Sequence, residues 1–320
     1  MRVLAVTAMF PSEPNPACGV FVKEQIASLR NLGVDLDTFI VKGLPKAKYL
    51  QAIPRLRRAI RSQHYDLIHA HHVFCGAVAV MSSGLPVIVT FHGSEVSGNS
   101  EWSRALCRYI SRRAAATIVV SSEMKKILRS GDVEVIPCGV DRRLFYPRDR
   151  NECRRLLGLS ADPKLVLFTG FFDGKVRPLK RLDLAREAVS RAHQQVKDLE
   201  LWVVSNVPRD QMPLYIGASD AVILTSDSEG SPMIVKEALM VRVPVVSVRV
   251  GDVPEISALT DGCFLCERNP EDLANKLVTA CHVRERPIRI ENLSQLSLEA
   301  VADRILTLYS RTLIPKESIA

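Results

Sequence analysis

Two doubly wound α/β units, each a parallel sheet wrapped by helices, are what the sequence predicts, and three observations carry the prediction. Short β-branched runs alternate with longer helix-like patterns nearly throughout. The alternation restarts at Lys164, after an interruption between Pro137 and Pro147. Each half then supplies enough strand–helix pairs for a sheet of its own. With 47% hydrophobic and 24% charged residues, 16 Gly and 18 Pro, disordered, collagenous and low-complexity classes are excluded.

In chain order, VLAVTAMF (3–10), LDTFIV (36–41), DLIHAH (66–71), PVIVTFH (86–92), ATIVVS (116–121) and VEVIP (133–137) read as the first set of strands. Between them VFVKEQIASLRNLG (20–33) and EMKKILRSG (123–131) read as helices, each closed by a glycine. The segment PKAKYLQAIPRLRRAIRS (45–62) puts Tyr49, Leu50, Ile53, Leu56 and Ile60 at helical spacing with cations between them. Pro54 is expected to interrupt that helix or to start its second half. The second half repeats the pattern with KLVLFTG (164–170), LELWVVS (199–205), DAVILTS (220–226) and VPVVSV (243–248). Its helices are RLDLAREAVSRAHQQ (181–195) and PMIVKEALM (232–240).

The formal net charge of +8 lies entirely in residues 1–147. It concentrates in Lys42, Lys46, Lys48, Arg55, Arg57, Arg58 and Arg61, and again in Arg104, Arg108, Arg112 and Arg113, which read as two basic helices. Three readings compete: a solvated face, a surface for anionic lipid headgroups or a lipid phosphate, and nucleic acid. The low aromatic content of 6% and the lack of any nucleic-acid-binding pattern argue against the last. About seven apolar positions precede Pro11, too few for a signal sequence, and no stretch approaches the ~20 apolar residues of a membrane span. A cytoplasmic protein, peripheral on the inner face of the membrane if the basic helices meet lipid, is therefore expected. Eight cysteines without framework spacing fit reduced thiols; Cys263 and Cys266 form a C-x-x-C that reads as core cysteine before zinc or redox chemistry.

Ligands of open α/β sheets sit at the carboxyl ends of the strands. No G-x-G-x-x-G follows the first strand and no G-x-x-x-x-G-K-[ST] occurs, which weakens dehydrogenase and P-loop readings. In TSDSEGSPMIVKEALM a strand ends, Glu229-Gly230-Ser231-Pro232 make a turn and a helix opens near Met233, so backbone N–H groups face an anion or a polar sugar. Glu237 lies two helical turns beyond Glu229, and a carboxylate accepts hydrogen bonds from two vicinal hydroxyls, as in a ribose. A capped core helix with a surface Glu is the alternative. His69, His71 and His72 have no carboxylate at ligand spacing and are read as strand-end residues, and the DLD at Asp35 and Asp37 is rejected as a metal site.

The run EGSPMIVKEA is similar to the E-x7-E motif of retaining glycosyltransferases with the two-domain GT-B fold, family 4 in particular. PNPACGVFVKEQIASLRNLG, YDLIHAHH, VTFHGSE, VIPCGVDRRLFYP and VRPLKRLDLAREAV agree with that family in order and spacing, across most of the chain. The resemblance implies two Rossmann-like doubly wound domains facing a central cleft. Residues 1–143 with about 303–320 would form the acceptor side, and 144–302 the donor side. It implies transfer from a nucleotide-diphosphate sugar, UDP-sugar by expectation, to the hydroxyl of a glycan or lipid-linked acceptor, with retention and without a metal or other cofactor. The anionic membrane would be met through Arg55, Arg57 and Arg58.

Carried over by position, Glu237 binds the donor ribose, and Glu229 with Gly230, Ser231, Pro232, Met233 and Ile234 contacts the donor sugar. Arg177 and Lys180 resemble the basic pair on the donor diphosphate. Gly19 resembles the glycine that lets the diphosphate approach, and His92 the histidine beside the reacting sugar, with Glu95 orienting it or contacting acceptor. Gly170-Phe171-Phe172 and the longer DGKVRP depart from the family's G-R-L-x-x-x-K-G. The choice among Lys175, Arg177, Lys180 and Arg181 for the phosphate contact therefore stays open. EAVADRILTLYSRTL (299–313) resembles the family's terminal helix that returns to the first domain, as part of the hinge. The alternatives are an epimerase or hydrolase of UDP-sugars with the same fold, and a non-catalytic nucleotide-sugar-binding protein.

Overall fold

The computed structural model describes residues 1–13, 18–44, 47–98, 100–129, 132–172, 175–283 and 288–314, with backbone alone at 171, 172, 175 and 283. Lys46, residues 14–17 of the PNPACGV stretch, Gly131, the first two residues of DGKVRP and the Lys175 side chain lie outside the described residues. The chain divides into two compact units, Met1–Gly139 with Leu298–Ala320, and Val140–Ser297. The divisions fall a few residues before the expected 143 and about 303, the second where the last helix opens at Leu298.

Unit 1 is a parallel sheet of β1 (Arg2–Thr7), β2 (Asp35–Ile40), β3 (Leu67–His71), β4 (Val87–Phe91), β5 (Ala116–Val119) and β6 (Val133–Val135) in the order β2-β1-β3-β4-β5-β6. The winding reverses between β1 and β3, so the loops after those strands diverge and leave room at their carboxyl ends. Its helices are α1 (Val20–Asn31), α2 (Ala47–Ser62), α3 (Val73–Ser82), α4 (Ser94–Ser97), α5 (Glu101–Arg113) and α6 (Ser122–Leu128). β3 and β4 are buried along their whole length, as strands covered on both faces must be. Both basic helices form. Pro54, however, sits inside a continuous α2 rather than dividing it. The carbonyl it leaves unpaired belongs to Leu50, a residue 72% exposed, so the break falls on the solvent side of the helix. Of the expected stripe, Leu56 is buried and Tyr49, Ile53 and Ile60 pack against the same core, joined by Ala52; Leu50 alone departs from it.

Unit 2 carries β7 (Lys164–Thr169), a short antiparallel pair β8 (Phe171–Phe172) and β9 (Lys175–Val176), then β10 (Leu199–Val204), β11 (Ala221–Leu224), β12 (Val245–Val248) and β13 (Cys263–Cys266). The main sheet is parallel in the order β10-β7-β11-β12-β13 and reverses between β7 and β11. Its helices are α7 (Arg150–Leu157), α8 (Leu182–His193), α9 (Met212–Ala218), α10 (Met233–Met240), α11 (Val253–Ser257) and α12 (Pro270–Val283). A buried ion pair ties three of these elements: Arg154 on α7 donates to Asp220 at 2.8 Å and to the Ala218 carbonyl at 2.9 Å, while Asp220 accepts the Leu165 N–H of β7 at 2.7 Å.

The C-x-x-C is β13 itself. Cys263 and Cys266 are buried free thiols, pushed up to about 12 by burial, which makes them core side chains. α13 (Leu298–Leu313) packs Val301, Ala302, Ile305, Leu308 and Tyr309 into the core of unit 1 beside Ile26 and Leu29 of α1. Among the described residues no helix is long and apolar enough to cross a membrane.

Candidate functional site

In unit 2 the informative side chains gather where β7, β11 and β12 end. The end of β11 holds the 3-10 turn Pro178–Lys180 in place: the Thr225 hydroxyl is 2.8 Å from the Lys180 carbonyl and 2.9 Å from that of Arg181, and the Asp227 N–H donates to Leu179 at 2.8 Å. Gly170 permits the packing, since a Cβ there would lie 2.9 Å from Cβ of Lys180. Lys180 is thereby aimed at the turn before α10, where its ammonium donates to Glu229 at 2.5 Å and Ser226 donates to the same oxygen at 2.7 Å. Of the cations in this segment, Arg181 is engaged elsewhere, by Asp183 at 2.8 Å and Asp227 at 3.3 Å. Arg177 is exposed.

α10 begins at Met233 behind Pro232, a residue with no side chain to cap it. The positive end of the helix is therefore open to a ligand, flanked by Glu229 on one side. Gly230 lies against Gly251, where a Cβ would stand 2.4 Å from the Gly230 oxygen, so the loop after β12 touches the turn directly. Met233 and Ile234 pack on the core of the unit. Glu237, 3% exposed, is paired with Arg209, whose guanidinium lies 4.6 Å from the Phe145 ring centroid. Arg209 follows β10 in a loop that offers no motif, and sequence reading missed it. Lys236, Asp252 and Ser231, hydrogen-bonded together beneath the turn, were missed as a group too; the Lys-Glu step in VKEA is the one signal that a charge is buried there.

In unit 1, Gly19 caps α1 in the left-handed region with φ 66°. A Cβ there would stand 2.3 Å from the Met9 oxygen, so glycine is required by the backbone of the β1–α1 loop itself. Phe21, two residues on, packs its ring 4.9 Å from that of His92. His92 follows β4, and its main chain is held by Glu95, whose carboxylate accepts the N–H groups of His92 at 2.8 Å and Gly93 at 3.1 Å. Glu95 therefore orients His92 through the backbone. The imidazole of His92 meets His71 through Nε2 at 3.1 Å, the rings nearly parallel, and its Nδ1 is buried with no hydrogen-bond partner among the described residues.

Burial holds all three imidazoles of this cluster neutral. His71 is lowered to about 4 by burial, and His69 and His92 are held well below the ordinary imidazole range by burial first and by neighbouring histidines second. His69 is enclosed between Tyr309 of α13 at 2.6 Å and Thr90 at 2.7 Å. A neutral His92 can exchange one hydrogen bond with a ligand through Nδ1 but brings no charge to it. Asp37 binds Arg2 and Tyr65, each at 2.9 Å, which accounts for its place at the start of β2. Among the described residues no group of three or more His, Cys, Asp or Glu side chains could hold a metal ion.

Comparison with known proteins adds to this geometry. Residues 29–144 match the model for Glycosyltransferase Family 4, and residues 187–294 that for Glycosyl transferases group 1. TuaC of Bacillus subtilis, named for teichuronic acid biosynthesis, is 26% identical over 88% of this chain and 90% of its own length. Sucrose-phosphate synthase from Thermosynechococcus elongatus superposes with a TM-score of 0.75 at 19% identity, over 97% of this chain and 99% of that one. HepE of Anabaena, solved with UDP and glucose, superposes with a TM-score of 0.71 at 16% identity, over 97% and 100%.

Proposed function

The chain belongs to the group 1 glycosyltransferases of GT-B fold, and from that premise we propose that it moves a sugar from a UDP-sugar to a hydroxyl acceptor with retention of configuration, independently of metal. One observation carries the proposal: the uncapped start of α10 is bracketed by two carboxylates, each held by a cation, Glu229 by Lys180 and Glu237 by Arg209. A nucleotide sugar has a matching polarity. Its ribose diol suits Glu237, its diphosphate suits Lys180, Arg177 and the helix N–H groups, and its sugar hydroxyls suit Glu229 and the backbone of Gly230 to Ile234.

Breaking the sugar–phosphate bond leaves negative charge on the departing diphosphate. Lys180, already oriented by Glu229, and the exposed Arg177 are the side chains that meet it, and removal of one such preorganised charge costs on the order of 2–4 kcal/mol of transition-state stabilisation. Attack from the same face, assisted by the leaving phosphate, accounts for retention without a covalent intermediate. Within unit 1, His92 is neutral, with Nδ1 unpartnered among the described residues, and is the side chain we assign to a sugar hydroxyl, while Gly19 leaves the β1–α1 loop without a side chain. UDP is favoured by the relative HepE, solved with it, and a glycan or lipid-linked acceptor by TuaC, named for a cell-surface polymer. Arg55, Arg57 and Arg58 would then bring unit 1 to the anionic inner face of the membrane.

The deciding experiment is a thermal-shift panel of UDP, GDP, ADP and their common sugars on wild type and Glu237→Ala. A ligand at about 100 times its Kd stabilises by ~2.7 kcal/mol, so UDP and its sugar should raise the Tm of wild type and shift the variant by half as much or less. No shift with any nucleotide sinks the donor reading. Product NMR then reports the anomeric configuration, and EDTA should leave the rate unchanged. Consumption of donor without acceptor would replace transfer by epimerisation or hydrolysis, and binding without turnover would leave a sensor.

A further inference from the structure

We infer that Lys236 and Asp252 are a positioning pair for the turn at Glu229–Met233, an ion pair buried beneath the ligand-binding end of α10 that fixes the orientation of its N–H groups. Lys236 is fully buried and Asp252 is 4% exposed, and their charges meet at 2.8 Å. Ser231, in the turn itself, closes the triangle: its hydroxyl donates to the same Asp252 oxygen at 2.6 Å and accepts from Lys236. The inference rests on the donor reading of this end of the helix.

Three features point to positioning rather than to packing alone. Lys236 stands in the first turns of α10 and runs back toward the helix N-terminus, where a cation is unfavourable unless a carboxylate meets it. Asp252 precedes α11 and is the residue type best suited to cap it, yet its side chain makes no capping bond there and turns to Ser231 and Lys236 instead. Gly251, next to it, lies in the left-handed region, and a Cβ there would stand 2.4 Å from the Gly230 oxygen. The loop after β12 is thus fastened to the turn twice, through backbone approach and through the triangle. Because the pair is neutral as a whole, it adds no attraction for an anion; its effect is to hold Ser231 and the amides of Met233 and Ile234 in one orientation. The second oxygen of Asp252 is buried with no hydrogen-bond partner among the described residues, a cost that an apolar pair would avoid.

The test compares wild type, Lys236→Met, Asp252→Leu and the double variant for Tm, for UDP affinity by calorimetry, and for KM and kcat with the UDP-sugar. Either single variant strands a buried charge and should lower Tm. The double variant removes both charges and should recover Tm, while its UDP affinity stays at least tenfold weaker than wild type and KM rises more than kcat falls. Recovery of both Tm and UDP affinity in the double variant overturns the inference and leaves the pair a packing element. If wild type itself binds no UDP, the donor reading falls first, and the positioning role with it. Should the double variant fail to fold, Asp252→Asn with amide hydrogen exchange decides: exchange at Gly230, Ser231, Met233 and Ile234 is expected to accelerate at least tenfold, and unchanged exchange overturns the inference.

Discussion

Neutral imidazoles at His69, His71 and His92 make unit 1 sensitive to acid. The folded state holds His71 near 4 while an unfolded imidazole titrates near 6.5. Between those values the unfolded chain binds protons that the folded chain does not, so stability is complete above pH 6.5 and falls as pH drops toward 4, by about 1.4 kcal/mol per pH unit for each proton taken up. Urea midpoints measured across this window should decline, and His71→Phe should flatten the decline; a midpoint independent of pH from 7 to 4.5 would contradict the assignment. On the donor side, Glu237→Ala removes a charged acceptor while Arg209, 28% exposed, can turn to water. Nucleotide affinity should then fall about 10- to 100-fold, the effect of one or two charge-assisted hydrogen bonds, with circular dichroism unchanged. Unfolding of the variant would instead mark Glu237 as structural. Glu229 and Glu237 were readable beforehand because their separation on one turn and helix is a local property. Arg209 was not, since its pairing with Glu237 spans 28 residues and depends on how the loop after β10 folds back. The same holds for Ser231 with Asp252, 21 residues apart.

At the level of elements, the strands were legible because parallel strands covered on both faces are unbroken β-branched runs, as in VIVTF and VVSV. Their ends were less so. α6 terminates on Arg129 in the left-handed conformation at φ 48°, ahead of the glycine that the sequence suggested as its stop. α2 continues through Pro54, whose stranded carbonyl belongs to the exposed Leu50. Glycines show why such details escape local reading: Gly19 and Gly33 both adopt positive φ, at 66° and 83°, yet a Cβ on Gly33 meets nothing within 4 Å whereas one on Gly19 meets the Met9 backbone at 2.3 Å. Gly33→Ala should therefore cost only the left-handed strain of about 1–2 kcal/mol, and Gly19→Ala clearly more, since main chain must move. Paired urea denaturation curves check this, and equal costs would show that the β1–α1 loop yields freely.

Over the whole molecule the charge asymmetry has a structural counterpart in unit 1. α2 presents Arg55, Arg57, Arg58 and Arg61 outward, and among the described residues none of the four pairs with a carboxylate; Arg57 is spent on the Met81 carbonyl at 2.9 Å and Arg55 lies 5.7 Å from the Phe39 ring centroid. Exposed apolar side chains accompany them, Leu50 on α2, Met81 on α3, and Trp102 and Tyr109 on α5 beside Arg108 and Arg112. On α5 Arg108 is met by Glu101 at 3.8 Å, so it is α2, with Leu50 exposed among arginines that no carboxylate meets among the described residues, that suits an anionic bilayer best, the cations serving headgroups at about 1 kcal/mol each near the surface and the apolar side chains the interface. Wild type should sediment with vesicles containing phosphatidylglycerol and stay in solution with phosphatidylcholine alone. Arg55→Glu, Arg57→Glu and Arg58→Glu together should abolish sedimentation at 0.1 M salt while leaving UDP affinity intact, because every side chain assigned to the donor lies in unit 2 or at the strand ends of unit 1 rather than on α2. Loss that required Trp102→Ala rather than charge reversal would shift the weight from headgroup attraction to insertion. A wild-type protein that never sediments would return the basic helices to the solvated-face reading and place the acceptor among soluble hydroxyl compounds.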